Sequence, residues 1–262
     1  GASEPKPRAK RRGRSNLLRI EGEGKVVEYA VKMRQLPQER MMDVLLPQGK
    51  VTKEMVAKVA EKLVDFHQKA ETNQEIAAFG KLDVIRQNTD ENFSQTEEYV
   101  GVSIPAARYE RIRSYTEDFV HSNSGLFNKR VREGRIRDCH GDLHAAHICF
   151  TDGICIYDCI EFNDRFRYSD VASEIAFLAM DLDRYQSADL SKHLVNTYVE
   201  LSHDEELLKL LNFYKCYRAY VRGKVESFKL DDPYIPEEEK AKVLDVAQRY
   251  FELAESYIIY ME

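Results

Sequence analysis

A chain of 262 residues with 43% hydrophobic content is long enough to bury one large core or two small ones, which excludes wholesale disorder. Charged residues make up 32%, and no run approaches the roughly 18 consecutive apolar residues of a membrane span. Five cysteines argue against a disulfide framework, and no charged-then-apolar leader reads as a signal peptide. The expectation is a cytoplasmic protein in a reducing compartment, with no membrane partner.

The net charge of −6 is unevenly spread, because residues 1–16 hold six basic side chains against Glu4. The body is acidic and would repel a phosphate backbone, so residues 1–16 read as a disordered basic leader and nucleic acid is not an expected partner. Leu17 to Ile20 and Lys25 to Met33 are short β-rich runs separated by EGEG, the pattern of a hairpin. Pro37 breaks the run, and QERMMDVLL predicts a short helix ended by Pro47 and Gly49. From Thr52, placed as an N-cap, Met55, Val56, Val59, Leu63 and Phe66 follow amphipathic helical spacing. Further helices are expected at about 74–87, 104–122 and 124–133. Between Ile136 and Tyr157 short β-type runs bracket a polar loop, HGDLHAAH, and a TDG turn at 151–153 joins the strands HICF and ICIYD. After Asp170 the pattern is almost wholly helical, so the fold class is α+β.

Chemistry-bearing residues concentrate at mid-chain. His140, Asp142, His144, His147, Asp158 and Glu161 lie within 22 positions. Two strands and tight turns frame them, so their side chains are expected to converge at one sheet edge, where catalytic groups commonly sit. A hairpin returns the chain from Asp142 to Asp158, so one carboxylate can act as base while the other holds a divalent cation. Zinc is a second reading, because Cys139, Cys149, Cys155 and Cys159 crowd the same histidines. No CxxC pair exists, and strand alternation sends several of these side chains to opposite faces. The cysteines read better as small buried hydrophobes in a sheet. Further on, Arg218 and Arg222 share a helix face beside Lys224, and either line a pocket for an acidic substrate or form an amphipathic surface stripe. Tyr217 and Tyr220 on the same helix read as core.

HGDLHAAH resembles the catalytic loop of the aminoglycoside-phosphotransferase and choline-kinase-like family, relatives of the protein kinases, written H-G-D-x-x-x-x-N. IYDCIEF is similar to the metal-binding strand end that follows it there. YSDVASEIAFL is similar to a downstream G-D-P-x-x-D-L-A helix start, with Asp170 and Glu174 at its acidic positions, and LVDFHQKA to a helix ending in L-x-x-L-H. The similarity is nearest to bacterial members, through VVEYAVKMRQLPQER, ENFSQTE and YRAYVRGK, and it covers residues 17–260.

The resemblance implies a protein-kinase-like α+β fold, mostly the helical C-terminal lobe with a truncated β N-lobe. Residues 17–48 would be the partial N-lobe and hinge, and 49–262 the helical lobe with its catalytic loop at 139–161. The implied activity is ATP-dependent phosphoryl transfer to a hydroxyl of a small molecule. Asp142 would accept the hydroxyl proton, His140 would orient the loop, and Asp158 and Glu161 would hold Mg²⁺. His147 stands where the family has Asn; an imidazole suits Mn²⁺ better than Mg²⁺. That departure also leaves room for a non-catalytic, pseudokinase-type binding module.

VVEYAVKM resembles the lobe-linking hinge strand, whose stretch through Glu28, Ala30 and Lys32 would face the adenine. Lys32 does not read as the phosphate lysine of a V-A-I-K strand, since no Gly-rich loop precedes it and no suitably placed Glu helix follows. About 25 residues precede the hinge, room for about one strand besides the leader. Nucleotide binding is therefore expected to be weak unless another chain or further residues complete the lobe. Family members often carry a nucleotide-binding domain, fused or separate, which would be a partner.

Overall fold

A computed structural model describes residues 25–29 and 35–258. The chain divides into two units, Gly1–Gln35 and Leu36–Glu262. In the first, residues 25–29 are exposed and form no strand, so this part of the expected hairpin is not formed. The rest of that hairpin, the basic leader, Ala30 and Lys32 lie outside the described residues. Residues 36–48, grouped by the sequence reading with the partial N-lobe, pack into the larger unit, where Met42 and Leu46 join the core.

The larger unit is mostly helical. A short helix, α1 (Met42–Leu45), stands between two 3-10 turns, the second of which ends at Gly49, in the left-handed conformation and at the expected stop. Helix α2 (Lys53–Lys69) starts at Thr52, whose Oγ1 accepts the Met55 N–H at 3.3 Å. The single helix expected over 74–87 is two: α3 (Gln74–Ala78) and the longer α4 (Leu82–Thr96). Between them Gly80 lies so close to the Ile136 and Val131 side chains that a Cβ would meet them at 2.4–2.9 Å. Helices α5 (Ala106–Ser122) and α6 (Ser124–Arg132) follow as the spacing predicts.

The β part differs from expectation. Strands β1 (Ile136–Asp138), β2 (Ile148–Phe150) and β3 (Ile154–Ile156) lie where the β-type runs are, and β2 and β3 pair antiparallel across the 151–153 turn. Strand β1, however, pairs with a further strand that the sequence reading does not contain. After a short helix, α7 (Asp164–Arg167), β4 (Tyr168–Asp170) lies antiparallel to β1. Two separate two-stranded ribbons therefore stand where one sheet edge is expected. Such ribbons are marginal alone, so helices must hold them in place.

The principal holder is α8 (Val171–Arg184), in which every residue from Val171 to Leu182 is buried. A helix apolar on nearly all sides belongs inside the core. Helices α2, α9 (Ala188–Ser202) and α10 (Leu207–Phe228) share one apolar cluster with it. The second cluster joins α4, α5 and α10 to α11 (Glu237–Ser256). Gly223 on α10 admits Phe251 of α11 so closely that a Cβ there would meet the ring at 2.9–3.0 Å. The architecture is α+β, and among the described residues no helix is long and apolar enough to cross a membrane.

Candidate functional site

The polar loop after β1 is fastened to α8 from below. Gly141 adopts φ +84°, and a Cβ there would meet the Phe166 carbonyl oxygen at 2.9 Å, so both conformation and space call for glycine. Its N–H donates to Glu174 Oε1 at 2.8 Å, and the Ala145 N–H donates to Asp181 Oδ2 at 2.9 Å. Glu174 in turn meets His67 Nε2 at 2.6 Å, while His67 Nδ1 meets the Tyr198 hydroxyl at 2.7 Å. Burial opposes ionisation of Glu174, but the bond from His67, the His67 charge and the Gly141 N–H outweigh it and hold its pKa below the usual value. At the head of α8, Asp170 caps the Ala172 N–H and takes two hydrogen bonds from the buried Arg130, which also binds Asp204.

On this floor the reactive groups are arranged. His140 is buried, donates from Nε2 to the Tyr157 carbonyl at 2.8 Å and accepts the Asp142 N–H at Nδ1 at 3.4 Å. Asp142 lies beside His144 Nε2 (3.5 Å) and His147 Nδ1 (3.7 Å). Burial pushes its pKa up, but the His144 contact and the charges of His144, His147 and Arg222 pull it further down, to about 2. Asp142 is thus a carboxylate at any physiological pH. His147 donates from Nδ1 to the Asp142 main-chain carbonyl at 2.9 Å, since a carbonyl can only accept. That bond leaves Nε2 turned toward Asp158, whose Oδ2 is 3.5 Å away. Burial, with the charge of His144, lowers the His147 pKa and favours the uncharged imidazole. Asp158 sits at φ +64°, an uncommon backbone state for a residue with a side chain.

These groups form a mixed oxygen and nitrogen donor set. Ligand atoms of Asp142, His144 and His147 lie within 4.8 Å of one another. A ring nitrogen fixed by a carbonyl at its far side is the usual arrangement of a metal-binding histidine. The set fits a divalent ion that accepts nitrogen, such as Mn²⁺, better than Mg²⁺, which prefers oxygen alone. His67, Cys139 and Glu174 form a second, buried trio. Both His67 ring nitrogens are already engaged there, and burial beside Glu174 keeps the Cys139 thiol protonated, so this trio serves packing.

A cavity of about 560 Å³ opens at Asp142, with Asp158, Arg218 and Arg222 also in its wall. Arg218 is buried, donating to the Gly141 carbonyl at 3.2 Å and to Ser173 Oγ at 3.1 Å, so a surface stripe does not describe it. Tyr220 is in the core as expected, whereas Tyr217 is half-buried and faces the cavity. Glu161 is exposed and has no described hydrogen bond or ion pair to the cluster. Glu28 is exposed in the first unit. The cysteines divide: Cys139 and Cys149 are buried, Cys155 is half-buried and Cys159 is exposed, so a uniform sheet interior does not describe them.

Sequence reasoning missed the cavity's α4 wall. Asn88, Asn92 and Gln95 on α4 line it at i, i+4 and i+7, a carboxamide stripe legible in the helical period. It also missed Asp181, whose signal is a carboxylate inside an otherwise apolar helix.

No family model matches the chain. It is similar to three uncharacterised mycobacterial proteins, one from Mycobacterium bovis and two from strains of Mycobacterium tuberculosis. Each is 33% identical over 200 residues, covering 76% of this chain and 40% of its own length. The chain spans about two fifths of the length of these curated relatives. Among solved structures, two crystal forms of a glucosamine kinase overlap 79% of this chain and 56% of their own, at 15% and 14% identity and TM-scores of 0.46 and 0.47. A glucosamine kinase in complex with glucosamine, ADP and inorganic phosphate overlaps 79% of this chain and 54% of its own, at 15% identity and a TM-score of 0.46.

Proposed function

We propose that the larger unit is the catalytic lobe of a protein-kinase-like phosphotransferase that moves the terminal phosphoryl group of ATP to a hydroxyl of a small molecule. The observation that carries this reading is Asp142: an ionised carboxylate at the mouth of a 560 Å³ cavity, on a loop tied to the central helix by Glu174 and Asp181. Such a cavity suits a small molecule. Asp142 accepts the acceptor's proton as the new oxygen–phosphorus bond forms and the bond to the departing ADP breaks. As a carboxylate it also orients the hydroxyl. His140 holds the Asp142 main chain, and Arg218 holds Gly141. Asp158 and His147 would hold a divalent cation, which when bound neutralises phosphate charge.

A second reading, a non-catalytic nucleotide-binding module, is favoured by His147 at the position of the family's Asn. One experiment separates the two. Thermal shifts with ATP and Mg²⁺ or Mn²⁺, followed by a phosphotransfer assay over a panel of hydroxyl compounds, should show metal-dependent nucleotide binding and turnover. Binding without any turnover supports the module, and no metal-dependent nucleotide binding overturns both.

A further inference from the structure

The wall of the cavity contributed by α10 holds three cations, Arg218, Arg222 and Lys224. Among the described residues none of the three has a carboxylate partner within ion-pair distance; Lys224 Nζ is held by the amide oxygens of Asn92 and Gln95, at 2.6 and 2.7 Å. The other cation of the wall, Arg165, is neutralised by a two-pronged bond to Glu91, at 2.6 and 2.7 Å. Of the wall's carboxylates, Asp170 is taken by Arg130, which leaves Asp142, whose ionised form the Arg222 charge favours, and Asp158. Three cations thus face two carboxylates, and the positive charge left over, partly buried, is costly until an anion meets it.

Two further features describe the rest of the ligand. Asn92 is almost fully buried, and its Nδ2 has no hydrogen-bond partner; Asn88 Oδ1 likewise has none. Aromatic rings supply much of the remaining wall, among them Phe79, Tyr168, Tyr217 and Phe228. Such rings bind flat apolar surface.

We infer that the molecule bound in this cavity is an anionic hydroxyl compound with an apolar or aromatic body. Its anionic group is drawn to the α10 wall by the charges of Arg222 and Lys224, its body lies on the aromatic wall, and its hydroxyl reaches Asp142. This inference rests on the proposed reaction for the role of the hydroxyl, but its charge preference stands on the wall alone. Polycationic acceptors are disfavoured by the same charges.

The test uses four probes on one scaffold: phenyl glucoside, its 6-phosphate, phenyl glucuronide and phenyl glucosaminide. Binding is measured by calorimetry on the full chain without nucleotide, so that it does not depend on phosphotransfer. At least one of the two anions should bind about tenfold more tightly than the neutral glucoside, the scale of one charge-assisted contact, and the cation most weakly. Which anion wins distinguishes a phosphate from a carboxylate. Arg222→Gln and Lys224→Met, each checked for an unchanged melting curve, should each reduce the preference. Binding of the cation as tight as that of the anions, or anions no tighter than the neutral probe, overturns the inference. Transfer to a neutral or cationic acceptor would then leave the proposed reaction standing. Conversely, anion preference with no transfer to any probe in the presence of ATP and Mn²⁺ counts against the reaction and for the charge selectivity.

Discussion

Glu174 and Asp181 stand seven positions apart on α8, hence on one face of the helix, and each accepts a backbone N–H from the same loop, Gly141 at 2.8 Å and Ala145 at 2.9 Å. Asp142 lies between these two fastenings. A buried helix with carboxylates on a single face is an expensive design unless each carboxylate is partnered. Here the partners are the loop's own backbone donors, so the central helix sets the position of the candidate base.

Asp142→Asn keeps the size of the side chain and removes its charge. Phosphotransfer is expected to fall by roughly 10²–10⁴, the range for acid–base groups. The fold should survive, because the Asp142 side chain is one-third exposed and supports no core contact. Equal turnover by mutant and parent would remove Asp142 from the reaction.

His147→Asn replaces the nitrogen donor by the amide of the H-G-D-x-x-x-x-N loop that HGDLHAAH resembles. The parent is expected to bind nucleotide better with Mn²⁺ than with Mg²⁺, and the variant to shift toward Mg²⁺. Thermal shift with each ion measures this directly. Identical metal preference in the two proteins would show that His147 Nε2, although it faces Asp158 at 3.5 Å, does not bind the ion.

Glu174 makes the fold acid-sensitive. Its pKa is lower in the folded protein than in an unfolded chain, so it contributes stability that is fully present above the ordinary glutamate value of 4.5 and is lost as pH falls below it. Glu174→Gln should be less stable at pH 7, by about 1–3 kcal/mol for the lost charged bonds, and should show a flatter melting temperature between pH 6 and about 3. Parallel pH profiles for parent and variant would contradict the assignment.

What was legible in the sequence was local. The Thr52 cap, the α2 stripe and the turn between β2 and β3 are each specified by residues within a few positions, so the pattern carries them. The pairing of β1 with β4 is not, because strands of three residues hold too little alternation to announce a distant partner. At the α3–α4 break Gly80 packs closely on Ile136, from another part of the chain. The candidate site divides in the same way. The histidines and Asp142 are dense enough to be seen, and His147 and Asp158 meet across the hairpin, whereas Glu161 stays exposed. The fastening by Glu174 and Asp181 needs the fold to show which backbone groups face the helix.

Gly141 offers the sharpest separation of local strain from general packing. Its φ of +84° costs any residue with a Cβ, and that Cβ would also meet the Phe166 carbonyl oxygen at 2.9 Å, Arg167 Cα at 3.2 Å and Ile160 Cβ at 3.3 Å. Two of these atoms are backbone and cannot turn aside. Gly141→Ala is therefore expected to lose stability by about 1–3 kcal/mol, with strain and displacement both contributing. The displacement falls on the residue next to Asp142, so turnover should drop more than stability alone explains, because a small misplacement of a catalytic group is costly. Gly153, in the turn between β2 and β3, is the control: a Cβ there meets nothing within 4 Å. Gly153→Ala should leave melting temperature and turnover close to those of the parent, within about 0.5 kcal/mol. Equal behaviour of the two variants in melting and in turnover would mean that the loop does not need the geometry Gly141 gives it, and that Asp142 is not held where the proposed reaction requires it.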